Sequence, residues 1–330
     1  MTICLRRREF IAGLGGAASW PLAARAQQGA LPVIGYLSSR RADSDASLLA
    51  SVRRGLGDVG YAEGRNVTIE YRFTDGRYDR LSALLTDLTQ RKLGVIVLVG
   101  FTSSEELVQQ VRASPIPIVS ASGDPRLGVV ASINRPGGNV TGVNALTADL
   151  SGKQLGLLHD LVPKAATIAA LIDPRQPTTE TIILRDARYA TATLGQKLLV
   201  LEASTAEEID AQFASLDQKP ADAMLVTVSP FFLTRARQIV ALAARNRIPA
   251  IYIRREFAEA GGLVSYGNTV ADNYREVGRY AGRILNGEKP ADLPVLQPNK
   301  YELVINLKAA KALGLTIPPG VFAIADEVIE

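Results

Sequence analysis

The most constraining stretch runs from Gly94 to Asp124. Val95-Ile96-Val97-Leu98-Val99 and Ile116-Pro117-Ile118-Val119 are continuous apolar runs rich in β-branched residues. Such runs, without alternation and bounded by turn residues, predict strands buried on both faces, as in a parallel sheet. Each is followed by a small polar loop, Gly100-Phe101-Thr102-Ser103-Ser104-Glu105 and Ser120-Ala121-Ser122-Gly123-Asp124, with a short helix to about Val111 between them. Both loops then leave the carboxyl ends of neighbouring strands, where open α/β sheets place ligands. Thr102-Ser103-Ser104-Glu105 reads as a capping box, with Thr102 as N-cap and Glu105 reaching back. The exposed amides of such a helix start attract an anion such as a carboxylate. The plainer reading is that these hydroxyls only cap and turn the chain.

The same βα alternation spreads from this stretch in both directions. Strands are expected at Val33 to Leu37 (ending in Ser38-Ser39), Val67 to Tyr71 and Gly128 to Ile133, with helices from about Ser47 to Val59 and from Asp79 to Arg91. Asn134-Arg135-Pro136-Gly137-Gly138-Asn139-Val140-Thr141-Gly142 then breaks regular structure and marks a crossing. A second βα series follows, with strands at Thr167 to Ile172, Lys197 to Leu201, Ala223 to Val228, Ala250 to Ile253 and Leu263 to Tyr266. Helices are expected at Ser151 to Leu161, Thr179 to Leu194, Ala206 to Leu216 and Leu233 to Asn246. The fold class is α/β: two doubly wound parallel-sheet lobes joined by a hinge. Residues 31–144 plus 268–292 form lobe 1, with helix Ala271 to Leu285 returning to it, and 145–267 plus 293–330 form lobe 2. The tail adds a strand, Glu302 to Ile305, and a helix, Lys308 to Leu313, and is irregular after Pro318-Pro319.

The first 26 residues stand apart. Arg6-Arg7-Arg8-Glu9-Phe10-Ile11 is a basic head, Ile11 to Leu22 is weakly apolar, and Ala24-Arg25-Ala26 is a small-x-small cleavage site. That order predicts a twin-arginine export signal cut after Ala26, too short to span a membrane. It also places the mature protein in the periplasm. Cys4, the one cysteine, leaves with it, so disulfides and cysteine catalysis are excluded from the mature chain. The chain has 37 basic and 33 acidic residues. Four arginines and one glutamate lie in the signal, leaving 33 against 32 and a mature charge of +1. Basicity on that scale does not support a nucleic-acid surface.

Catalytic constellations are scarce. There is no Gly-x-Ser-x-Gly elbow, phosphate loop or His/Cys metal cluster. His159, the sole histidine, reads as a surface or half-buried helix residue rather than a base. Asp124, Asp173 and Glu202 follow strands and could face a cleft; strand-end aspartates also serve as caps and turns. No enzyme activity, cofactor or metal is expected.

Four motifs carry a family resemblance: Arg7-Arg8-Glu9-Phe10 with Trp20 to Gln27, Gly60-Tyr61-Ala62-Glu63-Gly64-Arg65-Asn66-Val67, Asn134 to Gly142, and Glu302-Leu303-Val304-Ile305-Asn306-Leu307. Over essentially its whole length the chain resembles periplasmic substrate-binding proteins of ABC importers, tryptophan/tyrosine type. The resemblance implies a type I periplasmic-binding fold, a small-molecule solute clamped between two lobes, and delivery by a monomer to an inner-membrane ABC permease. Amino-acid binders of this type hold the α-carboxylate with hydroxyls and amides of first-lobe loops. The matching loops are Ser38-Ser39, Phe101-Thr102-Ser103 and Ala121-Ser122. Asp124 is then the candidate for an α-ammonium, and Phe101 or Phe231 for stacking on an aromatic or apolar solute. Phe231 could equally start a helix and face the core. From the second lobe, strand-end topology nominates Asp173, Ser229, Phe231 and Tyr266. The alternative function is a periplasmic sensor that presents its closed form to a membrane receptor.

Overall fold

The computed structural model describes residues 30–100, 104–121, 128–144, 150–297 and 300–330. The expected signal, and the expectations placed on Phe101, Thr102, Ser103, Ser122 and Asp124, lie outside these residues.

In chain order the first half runs β1 (Val33–Ser38), α1 (Ala42–Asp58), β2 (Thr68–Phe73), α2 (Leu81–Thr89), β3 (Val95–Val99), α3 (Glu105–Arg112), β4 (Ile118–Ser120) and β5 (Val140–Gly142). Next come α4 (Ser151–Leu161), β6 (Thr167–Ile172), α5 (Pro177–Thr193), β7 (Lys197–Glu202), α6 (Ala206–Ser215), β8 (Ala223–Val226), α7 (Pro230–Thr234), α8 (Ala236–Arg245), β9 (Ala250–Tyr252), α9 (Arg255–Glu259) and β10 (Val264–Asn268). The chain ends with α10 (Val270–Leu285), β11 (Tyr301–Asn306), α11 (Leu307–Ala312), α12 (Pro319–Ala323) and β12 (Glu327–Ile329).

The first sheet has the order β2-β1-β3-β4-β5 and is parallel throughout. Its central strand β3 is buried along its whole length. Because side chains alternate across a strand, Val95, Val97 and Val99 meet α1 and α10 on one face, through Leu48, Val52, Val277 and Ile284. Ile96 and Leu98 meet α2 and α3 on the other, through Leu85, Leu88, Val108 and Val111. Buried apolar faces on both sides explain why these strands read as unbroken hydrophobic runs. Helix α10 returns to the first sheet and crosses α1 closely. A Cβ on Gly55 would lie 1.8 Å from the Arg275 carbonyl oxygen, and one on Gly278 would lie 2.1 Å from that of Val52.

The second sheet has the order β12-β11-β10-β9-β8-β6-β7, parallel except where β11 runs antiparallel to β10. Helices α6, α7 and α8 cover one face through Ile209, Phe213, Phe232 and Ile239. Helices α4, α5 and α11 cover the other through Leu155, Leu158, Ala187 and Ala310.

The structure corrects several sequence expectations. Residues 128–133 form no strand; the fifth strand is Val140–Gly142, inside the stretch read as a crossing. Gly142 permits this with a φ of 147° and a backbone so close to Ser120 that a Cβ would fall 1.9 Å from its carbonyl oxygen. Helix α3 starts at Glu105, with Ser104 as N-cap and no side-chain cap bond, whereas Thr102 was expected as the N-cap. A capping box does form at α6, where Thr205 and Glu208 exchange bonds. The segment 293–296, assigned to lobe 2, stays with the first sheet. Leu293 and Val295 are buried in its cores, and the Leu296 amide donates to Gly142. The tail is not irregular throughout, because β12 pairs with β11.

Candidate functional site

The carboxyl ends of β1 and β3 meet those of β6 and β8 across a narrow gap. Ser38 and Ser39 lie in it, fully buried. The Ser38 hydroxyl accepts from the Arg40 amide at 3.1 Å. The Ser39 amide donates to Val99, and its carbonyl accepts from Gly76 and from the Thr74 hydroxyl. Only its Oγ has no partner among the described residues. Buried polar atoms are seldom left so. Gly100 makes the approach possible. Its φ is +66°, and a Cβ there would fall 2.0 Å from Ser39 Oγ and 3.6 Å from the Pro230 ring of the second lobe. Ala121 is buried and its amide is already given to Leu98, so it is no free donor for a ligand.

From the second lobe, Asp173 is fully buried at the end of β6. It accepts from Arg175 Nε at 2.8 Å, Arg175 Nη2 at 2.9 Å and the Ser229 hydroxyl at 2.8 Å. Ser229 in turn caps α7, accepting from the Phe231 and Phe232 amides at 3.1 and 3.4 Å. Asp173 and Ser229 therefore knit their own lobe together, and the group they present is Arg175. Its guanidinium carbon stands 4.9 Å from the centre of the Tyr78 ring and 4.5 Å from that of Phe231. Tyr78, from the first lobe, accepts a hydrogen bond from the Phe231 amide at 3.3 Å. Burial first, then the nearby Asp173 charge, push its phenol well above the usual range. Phe231 itself is 7% exposed and belongs to the second-lobe core, with one face under Arg175. It is therefore not an open stacking face.

Tyr266 sits elsewhere. Successive strand residues face opposite ways: Ser265 points into a cavity beside α1, whereas the Tyr266 ring stacks on Tyr301 and lies near Lys153. Glu202 is exposed at the end of the sheet-edge strand β7. His159 is near Gln196 at 3.4 Å, on the outward helix α4. Among the described residues no group of His, Cys, Asp or Glu is placed to hold a metal ion, and no helix is long and apolar enough to cross a membrane.

A second polar cluster joins the lobes beside the hinge. Tyr36 donates to Asp45 at 2.6 Å, and Arg40 Nε stands 3.9 Å from the other oxygen of that carboxylate. From β9 and α9 come Arg254 and Glu256, 3.8 Å apart. Tyr274 of α10 lies within electrostatic reach of all four charges, and burial pushes its phenol up to about 12. Burial also raises the Asp45 carboxyl and lowers the Arg254 guanidinium. The adjoining cavity, about 340 Å³, is lined by Ser47 and Leu48 of lobe 1 and by Arg254, Glu256 and Ser265 of lobe 2.

Sequence reasoning missed Arg175, Tyr78, Arg40 and Arg254. Only Arg175 left a trace: Asp173-Pro174-Arg175 is an Asx-turn sequence, and the Arg175 amide does bond the Asp173 carboxylate at 3.2 Å.

Two α/β lobes thus meet at their strand ends around buried polar groups. The chain belongs to the ABC transporter substrate binding protein family, whose profile matches residues 41–329. It is 24% identical over 263 residues to the tyrosine-binding protein of Clostridioides difficile (strain R20291), covering 79% of this chain and 75% of that one. It is also similar to the solved ABC domain in complex with L-Trp from Streptococcus pneumoniae, with a TM-score of 0.80 and 24% identity over 91% of this chain and all of that one. The ligand-free, open form of a substrate binding protein from Clostridium difficile gives 0.64 at 22% identity, covering 91% of this chain and 99% of that one. The type I periplasmic-binding fold read from the resemblance is the fold observed.

Proposed function

We propose that the protein is the extracytoplasmic solute-binding component of an ABC importer, exported by a twin-arginine signal on residues 1–26. In this reading it captures a small amino-acid-like or aromatic organic acid between its lobes and, as a monomer, delivers it to an inner-membrane permease. The observation that carries the reading is the Ser39 hydroxyl, without a partner among the described residues and buried where the strand ends of the two lobes face each other. Such a group is stabilised by a ligand atom that bonds it and costs free energy when empty. Ser38, Ser39 and the loops bearing Phe101, Thr102, Ser103, Ser122 and Asp124 then line the first-lobe side, and Arg175 and Tyr78 close the rim. The names of the tyrosine-binding relative and of the L-Trp complex favour an amino acid with an aromatic side chain. Capture works by population shift, since a solute touching both lobes binds the closed form better.

The test is isothermal titration of the purified protein against amino acids and aromatic acids, with melting temperature measured in parallel. Saturable binding with a ligand-linked rise in Tm supports capture. No binding by any member of the panel sinks it.

A further inference from the structure

Arg40 and Arg254 come from opposite lobes, and both side chains are 8% exposed. Neither guanidinium makes a hydrogen bond among the described residues. The nearest carboxylate oxygens stand at 3.9 Å from Arg40 and 3.8 Å from Arg254, beyond bonding range. The Nε of Arg254 and the Oγ of Ser265, which is fully buried, have no hydrogen-bond partner among the described residues. Both residues line the cavity beside α1. A buried arginine normally spends its planar fork of donors on a carboxylate or phosphate.

The other charges facing this space do not meet that need. Glu259 and Glu302 also line the cavity, and both are bonded by Arg255, at 2.8 and 2.7 Å. Asp45 is engaged by Tyr36, and burial favours its neutral form. That leaves Glu256 as the counter-charge for two guanidiniums, each of which feels the other. Closing the lobes without an anion gathers like charge in a dry space.

We propose that this interlobe cavity is an acid-group site, in which Arg254 and Ser265 from the second lobe hold a carboxylate or phosphate oxyanion and the nearby charge of Arg40, from the first, attracts it. The oxyanion is either an acid group of the captured solute, which rests on the function proposed above, or a separate inorganic anion, which does not. Either way it ties one lobe to the other and favours the closed form.

The experiment measures Tm and titration calorimetry on the purified protein with sodium phosphate, succinate, L-tyrosine and tyramine, in wild type, Arg40→Gln and Arg254→Gln. We expect saturable binding of phosphate or of a carboxylate probe, with tyramine inactive, and at least tenfold weaker binding in each variant. With no anion present, Arg254→Gln should melt no lower than wild type, because it removes an unmatched buried charge; a lower Tm would mark Arg254 as a structural partner of Glu256 and overturn the assignment. Arg254→Lys, which keeps the charge but loses the fork, is the second variant at that position and must also weaken binding. Failure of phosphate, succinate and L-tyrosine alike to bind wild type overturns the site, as does binding that both variants leave unchanged. If organic solutes bind wild type and variants equally, capture stands and the acid-group site falls. If phosphate binds and no organic solute does, the site stands and capture falls.

Discussion

Gly100 and Ser39 compete for one volume: a side chain on the glycine would begin 2.0 Å from the serine hydroxyl. The glycine also has a φ of +66°, which disfavours any residue with a Cβ. Gly100→Ala is therefore expected to destabilise the protein by ~1–3 kcal/mol through backbone strain and displacement of Ser39, and to weaken solute binding. Urea unfolding and calorimetry on one preparation check both. Adding Ser39→Gly should recover part of the stability, because it relieves the clash but not the φ.

Arg175→Met is expected to cost about 3 kcal/mol, the lower end for breaking a buried pair, because it removes the counter-charge of the fully buried Asp173 while the arginine itself is partly solvated. Asp173→Asn in the same chain should restore much of that loss. Chemical denaturation of the two single variants and the double variant measures the coupling.

Tyr78→Leu removes the ring and hydroxyl that reach Phe231 and Arg175 across the gap while leaving Asp173 bonded. The fold should survive with Tm close to wild type, and the lobes should separate more readily. Small-angle scattering checks this: a larger radius of gyration without solute, collapsing when solute is added, is the expected result.

Gly55→Ala pushes a methyl into the Arg275 backbone at the crossing of α1 and α10. Overpacking of this kind costs about 1–3 kcal/mol. Gly57→Ala, whose added Cβ meets nothing, is the matched control and should be neutral or stabilising. A thermal melt of the pair separates packing from helix propensity.

Asp58 bonds Arg275 and Arg279, which hold its carboxyl well below the usual carboxylate range. A group depressed on folding contributes stability above its unfolded pKa, and loses it as pH falls toward the folded value. The Tm gap between wild type and Asp58→Asn should thus be widest near neutrality and shrink below about pH 4. Because the carboxylate is near the surface, added salt should narrow the gap too. Asp45, raised by burial, has the opposite sign: its contribution is fully present below its unfolded pKa and fades as pH rises through the folded one.

The strands were legible because burial on both faces writes itself as runs such as Val95 to Val99. The strand-end position of Ser38, Ser39, Asp173 and Ser229 followed from topology. Their use did not: Asp173 and Ser229 bond each other at 2.8 Å across 56 residues of sequence, a pairing that no local pattern encodes. Phe231 could be read as core or as a stacking face, and only the packing decided. The three-residue β5 was masked by its glycines, since Gly142 sits in the strand for close backbone approach rather than for a turn. Arg40 and Arg254 carried no signal, because sequence says nothing about which charges a second lobe covers.

The passages of chain near Thr269 and Lys300 are hydrogen-bonded to each other, amide to carbonyl at 3.2 Å. That bond carries the antiparallel β10–β11 ladder one step past Asn268 and Tyr301, so the two passages leave the second sheet side by side.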